Sequence, residues 1–297
     1  MSDQAVRVLV TGVSGQVGGA LMARQTPGLL LVAAPRQDLD LSRPGDIAGR
    51  LDRIDPDVVV NCAAYTAVDQ AESDRDAAHT INGLAPGAIA DWCGGRNRPL
   101  IHVSTDYVFP GDATSPYRED DPVGPINVYG ASKLEGERRV RAGCPRHVIL
   151  RTAWVYAADG KNFVRTMLRV GKDRDRLSVV NDQRGCPTSA DAIAAALETI
   201  VLRLAASPTA PDVTGTYHYV DAGETTWHGL AERIFEVAGR RWGHRPEVRA
   251  IPTSDYPTPA RRPRYSVLDT SRFRETFGLV PPSWQDSLDA VLARLLA

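Results

Sequence analysis

Five short runs of consecutive apolar residues punctuate the first half of the chain: Val6 to Val10, Leu29 to Ala34, Val58 to Ala63, Leu100 to Ser104 and Val148 to Thr152. Helix-forming stretches separate them over Gly18 to Gln25, Ala71 to Cys93 and Val128 to Ala142. A strand with one wet face alternates apolar and polar positions. These runs are predominantly apolar without that alternation, as strands covered by helices on both faces are. The rhythm predicts an α/β fold, a doubly wound parallel sheet of Rossmann type.

After Tyr156 the pattern changes. It predicts a helix over Asn162 to Val170, a short strand over Leu177 to Val180, and a helix over Asp191 to Leu204. Ile193, Leu197, Ile200, Val201 and Leu204 in that last segment recur at spacings of three and four. Further helices are expected over Trp227 to Ala238 and Trp284 to Leu296. The Pro-dense stretch Ile251 to Pro263 cannot be regular helix and reads as an ordered loop or strap. At 297 residues the chain has room for about two domains. The expected division gives 1–154 and about 185–220 to a dinucleotide-binding part. Residues 155–184 and 221–297 form a smaller, interleaved C-terminal substrate-binding part.

Charge narrows the choice of partners. Thirty-five basic against 36 acidic side chains leave a net charge of −1, so no sequence-independent hold on nucleic acid or anionic lipid is expected. The polar opening Met1 to Gln4 and the brief apolar run after it are too short for a signal segment or a membrane span. Cys62, Cys93, Cys144 and Cys186 form no C-x-x-C pair and have no histidine at metal-ligand spacing, so they read as reduced core thiols without a structural metal. A cytoplasmic protein acting on a small molecule is the expectation.

The chemistry begins where the first strand ends. Gly12, Gly15 and Gly18 are spaced three apart at a strand-to-helix turn, with Gln16 and Val17 opening the helix. Gly12 permits the turn, Gly15 lets backbone approach a pyrophosphate and Gly18 lets helix lie close on sheet. The second strand ends Ala33-Ala34-Pro35-Arg36, without the carboxylate that binds the ribose diol of NAD. Arg36 pairing with a 2′-phosphate favours NADPH, with NADH and a plain surface arginine as the alternatives. Asp40 and Leu41 follow and would flank the adenine.

Tyr129 and Lys133 stand four apart at a helix start, on one face. A phenol with pKa ~10 is a poor proton donor at neutral pH, and an adjacent ammonium is expected to lower that value. Ser104, Thr105, Asp106 and Tyr107 lie at the carboxyl end of a predicted strand, where open α/β sheets place ligands. A hydroxyl there can polarise a carbonyl oxygen. The Asp-, Gly- and Pro-rich loop Pro110 to Pro125, between these two segments, is the expected mobile element.

With these residues in view, the chain resembles the extended short-chain dehydrogenase/reductases and, within them, the dTDP-4-dehydrorhamnose reductase family. The resemblance spans nearly the whole chain. It rests on Gly12-x-x-Gly15-Gln16-Val17-Gly18, Asn61-x-Ala63-Ala64-Tyr65-x-x-Val68-Asp69, Ala71-Glu72-Ser73 and Ser104-Thr105-Asp106-Tyr107. It continues through Asn127-x-Tyr129-Gly-x-Ser-Lys133-x-x-Gly-Glu137, Arg151-x-x-Trp154-x-Tyr156, Asn162-Phe163, Asn181-x-Gln183, Pro187-Thr188 and Pro257-x-x-x-Arg261-Arg262-Pro263-x-x-Ser266.

The resemblance implies an NADPH-dependent reduction of the C4 ketone of dTDP-4-dehydro-6-deoxy-L-mannose to dTDP-L-rhamnose. In that scheme Tyr129 protonates the incipient alkoxide, Lys133 tunes Tyr129 and holds the nicotinamide ribose, and Thr105 hydrogen-bonds the ketone oxygen. Val68, Asp106, Tyr107 and Trp154 bound the sugar, Trp154 by a flat ring face, and Ala63, Ala64 and Tyr65 line the cofactor. Arg262 holds the substrate diphosphate. Some relatives hold magnesium through glutamates at a dimer contact, one of them at the position of Ala20, so metal and homodimer both stay open here. Two other readings stand beside this one. One is delivery of hydride to the opposite face, giving dTDP-6-deoxy-L-talose. The other is a non-catalytic subunit like the regulatory subunit of methionine adenosyltransferase.

Overall fold

A computed structural model describes residues 5–206 and 213–297. The opening Met1 to Gln4 and the 207–212 part of the expected nucleotide-binding region lie outside them. The chain runs β1 (Val6–Thr11), α1 (Gln16–Met22), β2 (Leu29–Ala34), α2 (Ile47–Ile54), β3 (Val58–Asn61), α3 (Val68–Ala71) and α4 (Arg75–His79). A π-helical turn, Thr80–Leu84, leads into α5 (Ala85–Gly95), then β4 (Leu100–Thr105), α6 (Val128–Gly143) and β5 (His147–Thr152). The remainder is β6 (Val155–Tyr156), α7 (Phe163–Gly171), β7 (Arg176–Val180), β8 (Arg184–Gly185), β9 (Thr188–Ser189) and α8 (Ala190–Ala206). It closes with β10 (Gly215–His218), β11 (Thr225–Thr226), α9 (Trp227–Trp242), β12 (Glu247–Ile251), α10 (Ser271–Phe277) and α11 (Trp284–Leu295).

The central sheet has six strands in the order β10-β5-β4-β3-β1-β2, every neighbouring pair parallel. The order reverses between β1 and β3, which opens a crevice at the carboxyl ends of the strands. Val8, Leu9, Val10, Val59, Val60, Ile101, Ile149 and Leu150 expose no surface. Each side chain so buried stabilises the fold by about 1.5–3 kcal/mol. One face packs on α1, α8 and Phe273 of α10, the other on α2, α5 and Val140 of α6. The continuous apolar runs therefore mark strands covered on both sides.

A separate apolar cluster gathers Tyr156, Val164, Leu177, Leu230, Phe235, Trp284 and Leu288 around α7, α9, α11 and the two-stranded β7–β12 sheet. The Pro-dense strap is ordered: Asp69 accepts from Ala260 N at 3.2 Å and from Arg262 Nη2 at 2.8 Å, and Asn127 Nδ2 donates to the Arg261 carbonyl at 2.8 Å. The loop from Pro110 to Pro125 departs from the expectation of a free lid. The buried Tyr117 hydroxyl accepts the N–H groups of Gly111, Asp112 and Ala113 at 3.0–3.1 Å, and its ring stacks on Phe109 at 4.3 Å. Among the described residues no helix is long and apolar enough to cross a membrane.

Candidate active site

A cleft of about 730 Å³ lies along the carboxyl ends of β1, β2, β3, β4 and β5. At its floor the chain turns at Gly12, whose φ of +67° suits glycine. A Cβ there would stand 2.7 Å from Ala63 N, and one on Gly18 would stand 2.3 Å from the Gly12 carbonyl oxygen. Gly18 is thus buried beneath the turn, while Gly12, Gly15, Gln16 and Val17 line the cleft. Gly15 caps α1 with extended backbone and no side-chain acceptor. Gln16 Oε1 accepts from Asn162 Nδ2 at 2.8 Å, joining the turn to the start of α7.

Arg36, Asp40 and Leu41 line the far end. Arg36 is 79% exposed and faces Asp40 at 3.5 Å, and Asp40 is held below the usual carboxylate range by hydrogen bonds from Ser42. Ala63, Ala64 and Val68 line the middle. Tyr65 corrects the sequence expectation, because it is absent from that wall. Its hydroxyl donates to Asp74 at 3.1 Å and its N–H to Asn82 at 2.8 Å, which turns the ring toward α4.

Thr105, Asp106, Tyr107, Tyr129 and Lys133 converge at the other end of the cleft. Thr105 ends β4 in extended backbone, accepts Tyr107 N at 3.2 Å and donates to Asp106 Oδ1 at 2.9 Å. Asn127 caps α6 by accepting Gly130 N at 2.7 Å. Gly130 is required because a Cβ there would meet the Tyr107 carbonyl at 2.2 Å. This close approach sets the Tyr107 and Tyr129 rings edge to face, 5.5 Å apart.

Electrostatics here differ from the expectation. The Tyr129 hydroxyl is pushed up to about 12 by burial, against a hydrogen bond from Thr105 that lowers it. Lys133 does not relieve it in this arrangement, because its Nζ donates to the Val103 carbonyl at 2.7 Å. Burial in turn brings Lys133 down to about 8, opposed by Glu137 one turn along α6. Asp106 is raised to about 6 by burial, and its Oδ2 has no hydrogen-bond partner among the described residues.

Trp154 lines the cleft in left-handed backbone, φ +47°. One face of its ring is stacked on Trp227 at 3.6 Å and 6°. Arg262 lies outside the cleft wall, bound to Asp69, and its buried Nη1 has no partner among the described residues. Sequence reasoning gave no role to Asn61, which it quoted only within a motif, or to His102 and Asn82, all buried polar residues beneath the site. Asn82 stands in the π-helical turn and donates to Ser132 Oγ at 3.0 Å. Such turns recur at functional sites, but this one has no sequence signature.

Residues 6–297 match the family model described as the RmlD substrate binding domain. A dTDP-4-dehydrorhamnose reductase of Sinorhizobium fredii is 43% identical over 291 residues, covering 98% of each chain. The crystal structure of a dTDP-4-dehydrorhamnose reductase from Clostridium acetobutylicum superposes with a TM-score of 0.89 at 36% identity, covering 98% of this chain and 100% of that one. One from Bacillus anthracis, in complex with NADP, gives 0.88 at 34% identity with the same coverage. The chain belongs to the family of the RmlD substrate binding domain, among the dTDP-4-dehydrorhamnose reductases, and is an oxidoreductase.

Proposed function

We propose that the protein reduces the C4 ketone of dTDP-4-dehydro-6-deoxy-L-mannose with NADPH, giving dTDP-L-rhamnose. The observation that carries this is the meeting of Thr105, Tyr129 and Lys133 with the Gly12–Gly15 turn along one cleft. The glycine turn fits a dinucleotide, because Gly12 and Gly15 present bare backbone to the cleft at the N-terminus of α1, where no side chain caps the helix. Bound there, the reduced nicotinamide supplies the hydride.

The rest of the chemistry falls to the chain. Tyr129 is neutral well past physiological pH, so the phenol is in its proton-donating form and can deliver that proton to the ketone oxygen. Thr105, at the end of β4, can turn its one proton from Asp106 Oδ1 to the same oxygen as negative charge builds on it. Once free of the Val103 carbonyl, Lys133 can reach the ribose and favour the phenolate left on Tyr129. Val68, Asp106, Tyr107 and Trp154 bound the sugar. Arg262, with one nitrogen unpaired, is the cation we assign to the diphosphate. We assign the sugar nucleotide's contacts beyond the cleft to the C-terminal cluster of α7, α9 and α11. Arg36 would meet the 2′-phosphate of the cofactor. Ala20 packs against the apolar core and offers no metal ligand, so no step is routed through magnesium. We assign the protein to the cytoplasm, and the four free cysteines fit a reducing compartment.

The test is loss of reduced nicotinamide absorbance with dTDP-4-dehydro-6-deoxy-L-mannose made in situ, with NADPH and with NADH, and NMR of the product. Oxidation with a rhamnosyl product is the expected result. A 6-deoxy-talosyl product would overturn the hydride face, and cofactor binding without oxidation would overturn catalysis.

A further inference from the structure

Lys133 is gripped from below by a hydrogen-bonded file of buried residues. Its Nζ lies 3.4 Å from Nε2 of His102, and Nδ1 of the same ring lies 3.0 Å from Asn61 Nδ2. His102 and Asn61 expose 0% and 1% of their surface. Asn61 is oriented from its other end. Thr11 Oγ1 donates to Asn61 Oδ1 at 2.6 Å, and Ala63 N donates to Thr11 Oγ1 at 3.2 Å and to Asn61 Oδ1 at 3.3 Å. Turning the amide over would set its NH2 against the Ala63 N–H. The oxygen therefore faces β1, and the NH2 faces His102.

An NH2 group donates only, so Nδ1 of His102 must accept, and the one proton of a neutral imidazole sits on Nε2. That N–H points at Lys133 Nζ. An ammonium has no lone pair to receive it, whereas a neutral amine does. The charged lysine thus meets proton against proton, and the uncharged one completes the file: Thr11, Asn61, His102, Lys133, Val103.

We propose that Asn61 and His102 are positioning residues for Lys133: Asn61 locks His102 in its Nε2–H form, and that N–H selects the uncharged amine and parks it beneath the cleft while no cofactor is bound. Burial works in the same direction, holding His102 far below its ordinary value and Lys133 near 8. The other groups facing Lys133 are the Cys62 thiol beyond β3 and Glu137 on its own helix, both favouring the ammonium. Arg141 and Lys133 both disfavour a charged His102. To serve Tyr129 the amine must leave His102 and gain a proton. Loading the site and charging the lysine are therefore one event.

The proposal rests on Lys133 being the partner of Tyr129, but its first test does not. Two-bond proton–nitrogen NMR of the protein alone reads the His102 tautomer, assigned through the correlations of its ring to its own backbone amide. The Nε2–H form is expected, and the Nδ1–H form would overturn the proposal whatever the substrate proves to be. The second test is the pH profile of kcat/KM. A glutamine at 102 can turn its carboxamide oxygen to the ammonium, so the limb on which activity falls with rising pH should move up by about one unit, the worth of one charge-assisted hydrogen bond. A merely structural role would lower the rate equally at every pH and leave the limb in place. An unmoved limb overturns the proposal, and if the variant does not fold the tautomer alone decides.

Discussion

Replacing Glu137 by glutamine would remove one charge from the buried heart of the protein and almost no volume. Glu137 exposes 0% and Arg151 2% of their side chains, and Arg151 donates to both carboxylate oxygens at 2.8 Å. Ser104 donates a third bond at 2.6 Å and Arg141 a fourth at 2.8 Å. A glutamine keeps one acceptor and turns an NH2 toward the guanidinium, so Arg151 is left as a buried cation without its counter-charge. Breaking a buried pair by removing one partner costs about 3–5 kcal/mol. At about 2 °C per kcal/mol for a chain of this size, the melting temperature at pH 7 should fall by about 6–10 °C.

The pH dependence follows from the same contacts. Arg151, Ser104 and Arg141 hold Glu137 below its ordinary value against the opposing effect of burial. A carboxylate lowered in this way stabilises the fold at pH above its unfolded value of about 4.3, and that contribution is lost as pH falls through the folded value. The gap between wild type and Glu137→Gln should therefore be complete at pH 7 and narrow below about pH 4. Calorimetric melts at both ends of this range check it. A fall of less than about 2 °C at pH 7 would refute the reasoning, as would a gap that persists unchanged into acid.

Three further outcomes are expected. Tyr129→Phe removes the proton donor and nothing else, so kcat should fall by about 10²–10⁴ while NADPH affinity, read by fluorescence titration, stays within about twofold. Arg36→Ala should raise the KM for NADPH by about fivefold and leave that for NADH unchanged, since an exposed ion pair to a phosphate contributes about 1 kcal/mol. Asp106→Asn bears on a carboxyl raised to about 6. The wild type loses stability as pH rises through that value, because the buried carboxylate must ionise. The variant does not, so denaturant midpoints should show it gaining by up to about 3 kcal/mol between pH 4 and pH 8.

Much of the sheet was legible because strands buried on both faces leave a largely apolar record without alternation, as β3, β4 and β5 do. β10 left none: Gly-Thr-Tyr-His joins the sheet only because β5 offers an open edge to pair with. The α2 helix was passed over although Ile47 and Leu51 bury one face, its eight residues being too few for a periodicity to stand out. The glycine turn and the Tyr129–Lys133 pair, which line the cleft together, were readable because each is local in sequence, its members three or four residues apart. Where Lys133 points was not, for that depends on Val103 and His102, some thirty residues away, and on Asn61 further still. Tyr65 shows the same limit, its ring settled by Asp74 just before α4.

The face-to-face pair of Trp154 and Trp227 gives the molecule an optical signal of its own. Two indoles stacked 3.6 Å apart and nearly parallel couple their electronic transitions, and one of the two forms part of the cleft wall. Their exciton band in circular dichroism, distinct from the contributions of Trp92, Trp242 and Trp284, should change whenever a ligand tilts or displaces Trp154. Cleft occupancy can then be followed in real time on the unlabelled protein.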